Sequence, residues 1–317
     1  MFPSWTAFRL LSPGGDRGKL FVFIFHRVLA EPDPLLPQEP DAAAFDWMVR
    51  FISRNFRVMP LGQAVNLLKA RRLPSASACI TFDDGYQDNF SVALPILKRH
   101  GSVATFFIAT GYLDGGRMWN DSLVESVRAL PDQMVDWSEF GLDRHDLTSL
   151  RGRLNCMRSA LERLKYFPHH QREAVAKEIA RQSGVAEISA LMMRSDEVRA
   201  LRAAGMEIGA HTHSHPILTA VDDQQAYAEI AYGKARLEKI LGETVDVFAY
   251  PNGNPKRDLA PCHVEMVKAA GFRAAVTTEQ AIGGVDTDSL LMPRFTPWDR
   301  TPTRFAARCA LTLLRGQ

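Results

Sequence analysis

The chain has 317 residues, of which 46% are hydrophobic and 23% charged, and 38 basic against 36 acidic residues give a net charge of +2. These proportions exclude a disordered, collagen-like or disulfide-stapled small protein and indicate a globular chain with a large core. The near-zero charge provides no general field for nucleic acid. The longest apolar run, residues 20–25, is far shorter than the ~18–20 residues of a membrane-spanning helix.

The amino terminus and the cysteines both indicate a reducing compartment. The stretch Met1–Arg9 lacks a basic start followed by an apolar run, so no secretory signal is predicted. Cys79, Cys156, Cys262 and Cys309 are far apart and form no CxxC pair, which favours free thiols over disulfides or metal ligation. We therefore expect a cytoplasmic protein, with the inner face of the membrane as an alternative location.

Apolar strands alternate with amphipathic helices along most of the chain. In the first part, the pattern predicts strands at 19–25, 78–82 and 103–109 and helices at 45–55, 61–71 and 89–99. Later it predicts helices at 196–204, with Ser195 as N-cap, 222–241 and 261–270, followed by strands at 206–210, 245–250 and 272–278. Helix, glycine and apolar strand in repetition indicate an α/β fold with parallel strands covered by helices. Periodicity does not say whether such a sheet closes into a barrel.

Residues 116–194 break this alternation. They contain no convincing strand, and the spacing is helical at 147–167 and 169–183, so we predict a helical insertion within a single catalytic domain of residues 1–317. Between Arg144 and Arg181 nine basic residues face four acidic ones. This excess is either a solvated helical face or a patch that attracts an anionic part of a substrate, such as a phosphate.

Polar residues follow several predicted strands at their carboxyl ends, where α/β folds place their active sites. His26 ends the first strand, and Asp83 and Asp84 end the strand in Ile80-Thr-Phe-Asp-Asp-Gly-Tyr86. Two adjacent buried carboxylates separate in pKa unless a cation neutralises one of them. Alone, an Asp-Asp-Gly sequence would indicate an exposed turn.

A histidine cluster changes that interpretation. The sequence His211-Thr-His-Ser-His215 follows another predicted strand. A turn there directs two imidazoles, four residues apart, at one point, and together with one carboxylate they form a three-ligand site for zinc or a similar divalent ion. Such a site leaves one coordination position for water. His213 is expected to face away from the metal.

These segments together resemble a known family. Thr81-Phe-Asp-Asp-Gly85 and His211-Thr-His-Ser-His215 resemble the first two motifs of the NodB-homology polysaccharide deacetylases, and Phe248-Ala-Tyr-Pro-Asn-Gly253 is similar to the third. The resemblance covers residues 20–110 and 190–297. It implies a distorted (β/α) barrel, one divalent metal ion, most readily zinc, and removal of an N-acetyl group from an aminosugar.

The resemblance also implies individual roles. Asp83 would be the general base, and Asp84 would bind the metal together with His211 and His215. The backbone N–H of Asn252 would help to hold the oxyanion. Tyr86, which directly follows the first motif, is also expected to lie at the substrate or oxyanion site.

The sequence departs from the family pattern at two places. The family commonly has an arginine two residues before the proline of the third motif, where this chain has Ala249. Arg294, in Met292-Pro-Arg-Phe295, is the candidate replacement that orients Asp83, and a plain surface arginine is the alternative. The usual late Leu-x-x-His motif is absent. Phe25-His-Arg-Val28 on the first strand instead resembles the rearranged subgroup that includes poly-N-acetylglucosamine deacetylases, which makes His26 the proposed acid; a capping histidine is the alternative.

The predicted activity is therefore metal-dependent deacetylation of a polysaccharide or glycan precursor, with Asp83 as base and His26 as acid. Two alternatives stay open: a hydrolase on the same scaffold that acts on an imide or a nucleobase-derived amide, and a saccharide-binding protein with an inactive site. The expected partner is an N-acetylated saccharide, and in the cytoplasm this saccharide could be linked to a phosphate or a lipid. No nucleic-acid partner is expected. The helix predicted at 302–315 either docks on the domain or contacts a membrane surface. The sequence does not indicate an oligomeric state.

Overall fold

The computed structural model describes residues 5–185 and 191–315. Residues 1–4 of the terminus considered for a signal, and residues 186–190 of the predicted insertion, lie outside the described residues. The strands are β1 Lys19–Phe25, β2 Arg57–Val58, β3 Ser77–Phe82, β4 Thr105–Ile108, β5 Met134–Asp136, β6 Arg144–Asp146, β7 Glu207–Ala210, β8 Val247–Ala249, β9 Ala274–Val276 and β10 Gly283–Gly284. The helices are α1 Trp5–Leu11, α2 Ala42–Asn55, α3 Leu61–Lys69, α4 Leu94–Arg99, α5 Trp119–Ala129, α6 Leu150–Leu164, α7 His169–Gln182, α8 Ser195–Ala203, α9 Asp223–Leu241, α10 Pro261–Ala269 and α11 Pro302–Arg315.

The main sheet is a curled parallel sheet. Its order is β10-β1-β3-β4-β7-β8-β9, with β2 paired to β3, and of the strand pairs described in this sheet only β1–β10 is antiparallel. The extended segment at residues 292–295 pairs with β9 through Val276 and Met292 and with β1 through Phe23 and Phe295. This segment closes the sheet between its first and last parallel strands. The predicted distorted (β/α) barrel is confirmed.

The apolar strands separate two layers of core, because successive residues of a strand point to opposite faces. The inner cluster fills the barrel around α3 and includes Leu20, Val22, Cys79, Phe107, Val247 and Val276. The outer cluster packs the other face of the strands against α2, α4, α8 and α9 and includes Phe21, Phe23, Phe82, Phe106 and Phe248. A strand buried on both faces reads as a continuous apolar run, which is why β1 and β3 were recognisable.

The start of α8 differs from the prediction. The helix begins at Ser195, and the residue before it is Arg194, whose backbone N–H donates to Glu197 Oε2 at 2.8 Å. Ser195 is not the N-cap, because its N–H and hydroxyl both donate to Asp114, each at 2.7 Å. The Asp114 carboxylate, in the loop after β4, therefore binds the serine that the sequence pattern predicts as the N-cap.

The segment predicted as a helical insertion is helical only in part. Helices α5, α6 and α7 share a hydrophobic cluster of their own, which includes Trp119, Leu123, Trp137, Cys156 and Ile179. Between α5 and α6, β5 and β6 form an antiparallel hairpin in which Val135 faces His145. The expectation of no strand in this segment was wrong, because each strand has three residues and Val135 is the single buried one of the six. The division into one domain with an insertion stays a prediction.

Much of the basic charge on this segment is paired with carboxylates. The ion pairs are Arg144–Asp136 at 2.6 Å, Arg153–Asp132 at 2.7 Å, Arg163–Asp143 at 2.6 Å and Arg181–Glu178 at 2.5 Å. Surface ion pairs of this kind contribute little to stability, and they are typical of a solvated helical face. Lys165 is different, since it lines the cavity described below.

The carboxyl-terminal helix docks on the barrel. Helix α11 buries Phe305, Ala306, Cys309 and Leu313, and the Phe305 ring lies 5.2 Å from that of Phe51 on α2. Within the part of the chain that the structure describes, no helix is long and apolar enough to cross a membrane. The four cysteines are all free, as predicted, and Cys262 alone of these four is exposed.

Candidate active site

The ends of three parallel strands bring most of the predicted residues into one cavity. His26 follows β1, Asp83 and Asp84 follow β3, and His211 and His215 follow β7; all five line a cavity of about 480 Å³. The strands run in the same direction, so their carboxyl ends meet at one rim of the barrel.

Asp84, His211 and His215 form a cluster that fits a divalent metal ion. Their ligand atoms all lie within 4.8 Å of one another. Asp84 Oδ1 is 3.5 Å from His211 Nε2 and 3.4 Å from His215 Nε2, and the two Nε2 atoms are 3.1 Å apart. Asp84 Oδ1 is buried and has no hydrogen-bond partner. A buried carboxylate oxygen without a donor, facing two imidazole nitrogens, is the donor set that zinc uses in open sites.

Hydrogen bonds and neighbouring charges set the protonation of these three side chains. His211 Nδ1 lies 2.7 Å from the Ala249 carbonyl oxygen, so Nδ1 carries the proton and the Nε2 lone pair faces the cluster. Burial lowers the pKa of His215 to about 3, which keeps that imidazole neutral. Burial would raise the pKa of Asp84, but the proximity of the His211 and His215 imidazoles outweighs burial and lowers it. Burial pulls the pKa of His211 down, yet the Asp83 and Asp84 carboxylates outweigh burial and raise it.

The backbone around the cavity is strained. Seven described non-glycine residues have positive φ, and four of them are Asp84 at 75°, Thr212 at 62°, His215 at 56° and Asn252 at 56°. Such conformations cost energy and concentrate at functional sites. Asn252 lines the cavity, and its backbone N–H makes no hydrogen bond to any described residue. That N–H is a free donor of the kind an oxyanion requires.

Asp83 is held by Arg294. The guanidinium binds both carboxylate oxygens, at 2.7 and 2.8 Å, and Arg294 is fully buried, which excludes the surface alternative. Its Nε donates to the Thr277 carbonyl at 2.8 Å, and its Nη1 lies 3.3 Å from Thr81 Oγ1. Burial would raise the pKa of Asp83, but the charge of Arg294 outweighs burial, and the pKa is lowered. Asp83 is therefore an ionised, fixed carboxylate.

His26 shares the cavity with both aspartates. Its backbone carbonyl accepts a hydrogen bond from Asn89 Nδ2 at 2.8 Å, which holds the end of β1. The charge of a protonated His26 contributes to lowering the pKa of both Asp83 and Asp84.

Tyr86 does not lie where the sequence placed it. It is 2% exposed and is not among the residues that line the cavity. Its hydroxyl donates to Asp121 Oδ1 at 3.1 Å and accepts from Asn120 Nδ2 at 3.3 Å, and the Arg27 guanidinium lies 4.8 Å from its ring centroid. Tyr86 thus joins the loop of Asp84 to α5 and presents no polar atom to a substrate.

The remaining cavity walls were not found from sequence. The segment from 118 to 165 contributes Met118, Trp119, Asn120, Leu161, Glu162 and Lys165. The loop after β8 contributes Asn254, Arg257 and Asp258. No spacing relates these two groups to the histidine and aspartate motifs, because they meet the motifs only through tertiary packing. The pattern of α6 predicts its apolar face but not what lies opposite it.

A second group of potential ligands lies at the start of α9 and α10. Asp223, Cys262 and His263 have ligand atoms within 4.8 Å of one another. His263 Nδ1 accepts the Ala260 N–H at 2.9 Å, so the proton of the neutral ring is on Nε2. Neither nitrogen then offers a free lone pair, and this group is a poor metal site.

Comparison with known proteins identifies relatives. The model of the polysaccharide deacetylase family matches residues 70–275. YxkH of Bacillus subtilis (strain 168), whose name places it among polysaccharide deacetylases, is 20% identical over 269 residues, covering 84% of this chain and 67% of that protein. The structure of the Streptococcus pyogenes deacetylase PplD in complex with acetate superposes with a TM-score of 0.62 at 16% identity, covering 94% of this chain and 99% of that one. IcaB from Ammonifex degensii gives 0.60 at 19% identity, over 96% and 98% of the two chains. At these identities, the structural likeness establishes the fold.

Proposed function

The chain belongs to the polysaccharide deacetylase family, and we propose that it removes the N-acetyl group of an aminosugar in a polysaccharide or a glycan precursor. One observation carries this proposal: Asp84, His211 and His215 converge beside the buried Asp83–Arg294 pair in the cavity that also holds His26. One carboxylate and two imidazoles suit zinc best, and other divalent transition metals also accept this donor set.

The proposed reaction begins with an attack by water on the acetamide carbonyl. A divalent ion bound by the three ligands would lower the pKa of that water and polarise the carbonyl. Asp83 takes the proton of the attacking water. Its pKa is lowered by Arg294, so it is ionised at neutral pH. The two bonds from Arg294 leave further lone pairs on the carboxylate oxygens and fix their direction.

The second half of the reaction needs an oxyanion donor and an acid. The backbone N–H of Asn252 donates to the developing oxyanion, and its strained conformation orients the donor before the substrate arrives. Protonated His26 transfers a proton to the nitrogen of the breaking C–N bond, because an amide nitrogen leaves poorly without one. The products are acetate and a free amine on the sugar. PplD, a deacetylase of related fold, was solved in complex with acetate.

The cavity walls support a saccharide substrate. Trp119 lines the cavity with the small exposed part of a ring that is otherwise buried, and the amides of Asn120 and Asn254 offer donors and acceptors for hydroxyl groups. Lys165 and Arg257 also line the cavity and would meet the phosphate of a carrier-linked precursor.

Acetate release from N-acetylglucosamine oligomers tests the proposal. The wild-type protein, loaded with zinc, is expected to release acetate, and chelation of the metal or Asp83→Asn is expected to abolish release. Stoichiometric metal binding with no turnover of any acetylated sugar would indicate a saccharide-binding protein. Turnover confined to cyclic imides or nucleobase-derived amides would indicate a different carbon–nitrogen hydrolase.

A further inference from the structure

The turn that carries the two histidine ligands is not stable on local grounds. Between His211 and His215, Thr212 has a φ of 62° and His215 a φ of 56°. A β-branched residue in the left-handed region is a genuine outlier. Within the turn, Thr212 Oγ1 accepts the His215 N–H at 3.1 Å and donates to the His211 carbonyl at 2.6 Å, so one hydroxyl supplies the bonds that oppose the strain of two residues. Groups outside the turn must therefore hold it.

Two elements supply that hold. The first is the segment Thr110–Tyr112, where the Gly111 N–H donates to the His213 carbonyl at 2.7 Å and the Tyr112 hydroxyl donates to the Ser214 carbonyl at 2.9 Å. The second is Glu229 of α9. Its Oε2 accepts the backbone N–H groups of His213 at 3.0 Å and of Ser214 at 2.7 Å, and its Oε1 accepts the Ser214 hydroxyl at 2.7 Å. Both carboxylate oxygens are thus engaged by consecutive residues of the turn. Bonds from N–H and O–H groups to an ionised carboxylate are shorter and stronger than neutral ones.

One face of α9 is shaped to approach the turn. Glu229, Tyr232 and Gly233 are spaced as i, i+3 and i+4, which places them on the same face. The Tyr232 ring lies 4.6 Å from the His213 ring. A Cβ added to Gly233 would lie 2.6 Å from the Thr212 carbonyl oxygen and 2.7 Å from its carbon. A side chain at this position would push the helix away from the turn.

We infer that Glu229 is a positioning residue for the metal site, and that Gly233 is the residue that lets α9 come close enough for Glu229 to act. Through the turn backbone, Glu229 sets the separation between the His211 and His215 rings. Without it, the N–H groups of His213 and Ser214 lose their acceptor, and Thr212 and His215 relax toward ordinary conformations. His215 then leaves the point where its Nε2 meets Asp84 Oδ1. The inference rests on the proposed metal site, and the spacing of the motifs does not by itself indicate a role for α9.

Metal affinity is the measurement that tests the inference. Zinc affinity is measured by competition with a chromophoric chelator, and ligand geometry by the visible absorption of the cobalt-substituted protein. Glu229→Ala is expected to weaken zinc binding about 10- to 100-fold, as loss of an outer partner of a metal ligand commonly does, and to change the cobalt spectrum. Glu229→Gln, which keeps one acceptor oxygen, is expected to fall between Glu229→Ala and the wild type. Gly233→Ala is expected to weaken binding although alanine is the better helix former.

Glu238→Ala is the matched control. Glu238 lies on the same helix and accepts the Val245 N–H at 3.1 Å, away from the turn. Its loss is expected to lower thermal stability without changing zinc affinity or the cobalt spectrum. If Glu229→Ala does not fold, Glu229→Gln and Gly233→Ala still test whether zinc affinity depends on the contact between Glu229 and the histidine turn.

The outcomes separate this inference from the proposed function. Wild-type protein that binds no stoichiometric zinc would overturn the metal site itself. Wild-type protein that binds zinc, with variants at 229 and 233 that bind it equally tightly and give the same cobalt spectrum, would overturn the role of Glu229 alone.

Discussion

Arg294 and Asp83 form a bidentate ion pair inside the barrel, with N–O distances of 2.7 and 2.8 Å, although 211 residues separate them in the chain. Arg294 stands on the extended segment that pairs with both β1 and β9. The segment that closes the barrel therefore also delivers the cation that holds Asp83. Where the family commonly has an arginine, this chain has Ala249, and a different segment brings the guanidinium to the equivalent carboxylate.

Arg294→Lys is expected to move the acidic limb of the pH–rate profile to higher pH. Arg294 lowers the pKa of Asp83, so a weaker partner raises it, and the base becomes protonated at a higher pH. A lysine also cannot bind two oxygens in a fork, and we expect kcat/KM at pH 7 to fall about 10²-fold from misorientation of the base. Acetate release from pH 4 to 9 measures both effects. Arg308→Lys, which affects a pair with Asp299 outside the cavity, is the control. An unshifted acidic limb would contradict the role of Arg294.

Asp83→Asn and His215→Ala are expected to separate turnover from metal binding. Asp83 is not one of the three clustered ligands, so Asp83→Asn should retain one zinc ion per chain while acetate release falls below detection. His215→Ala should lose both, because two ligands remain. Elemental analysis of the purified proteins measures the metal, with His145→Ala on β6 as a control that changes neither. Loss of zinc in Asp83→Asn would place that carboxylate among the ligands.

His26→Ala is expected to lower deacetylation about 10²- to 10⁴-fold, the range of general acid catalysis. An aryl acetate ester has a leaving group that needs no proton, so its hydrolysis should be largely retained. The control is His100→Ala, which removes a ring paired with Asp46 away from the cavity. Equal losses on the amide and the ester would show that His26 is not the acid.

Asp121→Asn is expected to stabilise the metal-free protein more at pH 8 than at pH 5. Burial raises the pKa of Asp121 to about 7, from an ordinary value of 3.8, and its Oδ2 has no hydrogen-bond partner. The Asp121 carboxyl group therefore binds its proton more tightly in the folded state than in the unfolded chain. Protonated Asp121 contributes fully to the free energy of unfolding at pH values below its ordinary pKa. This contribution, up to about 4 kcal/mol, is lost as the pH rises through 7.

Urea unfolding of the metal-free protein at pH 5 and pH 8 measures this effect. Asparagine keeps an acceptor for the Tyr86 hydroxyl, so the tie between α5 and the loop of Asp84 should persist. Asp286→Asn, which alters an exposed carboxylate, should leave the pH dependence unchanged. Identical pH dependence in Asp121→Asn and the wild type would contradict the prediction.

The sequence identified those site residues that lie close to one another in the chain. Asp83 and Asp84 are neighbours at a strand end, and His211 and His215 lie in one turn, so motif and strand order were enough to bring them together. The same reasoning failed for Tyr86. It is two residues from Asp84, but its side chain points away from the cavity into a pocket formed with Asp121. Proximity in sequence does not determine direction.

Contacts between distant segments account for the residues that sequence reasoning missed. Trp119 and Lys165 line the cavity because α5 and α6 pack over the barrel rim. Glu229 lies on a helix whose limits were predicted closely, yet nothing in its spacing shows that its carboxylate faces the His213–Ser214 backbone. A helical pattern reports which face is buried, not the partner against which it is buried.

By itself, the sequence determined the alternation of apolar strands and helices and the polar residues at the strand ends, because hydrophobic periodicity and short motifs are encoded within a few residues. Only the tertiary structure decided that the sheet closes through residues 292–295, that Arg294 thereby reaches Asp83, and that α9 holds the histidine turn. These depend on how segments up to 211 residues apart pack, and packing is set by the shape and burial of the whole core rather than by any local pattern.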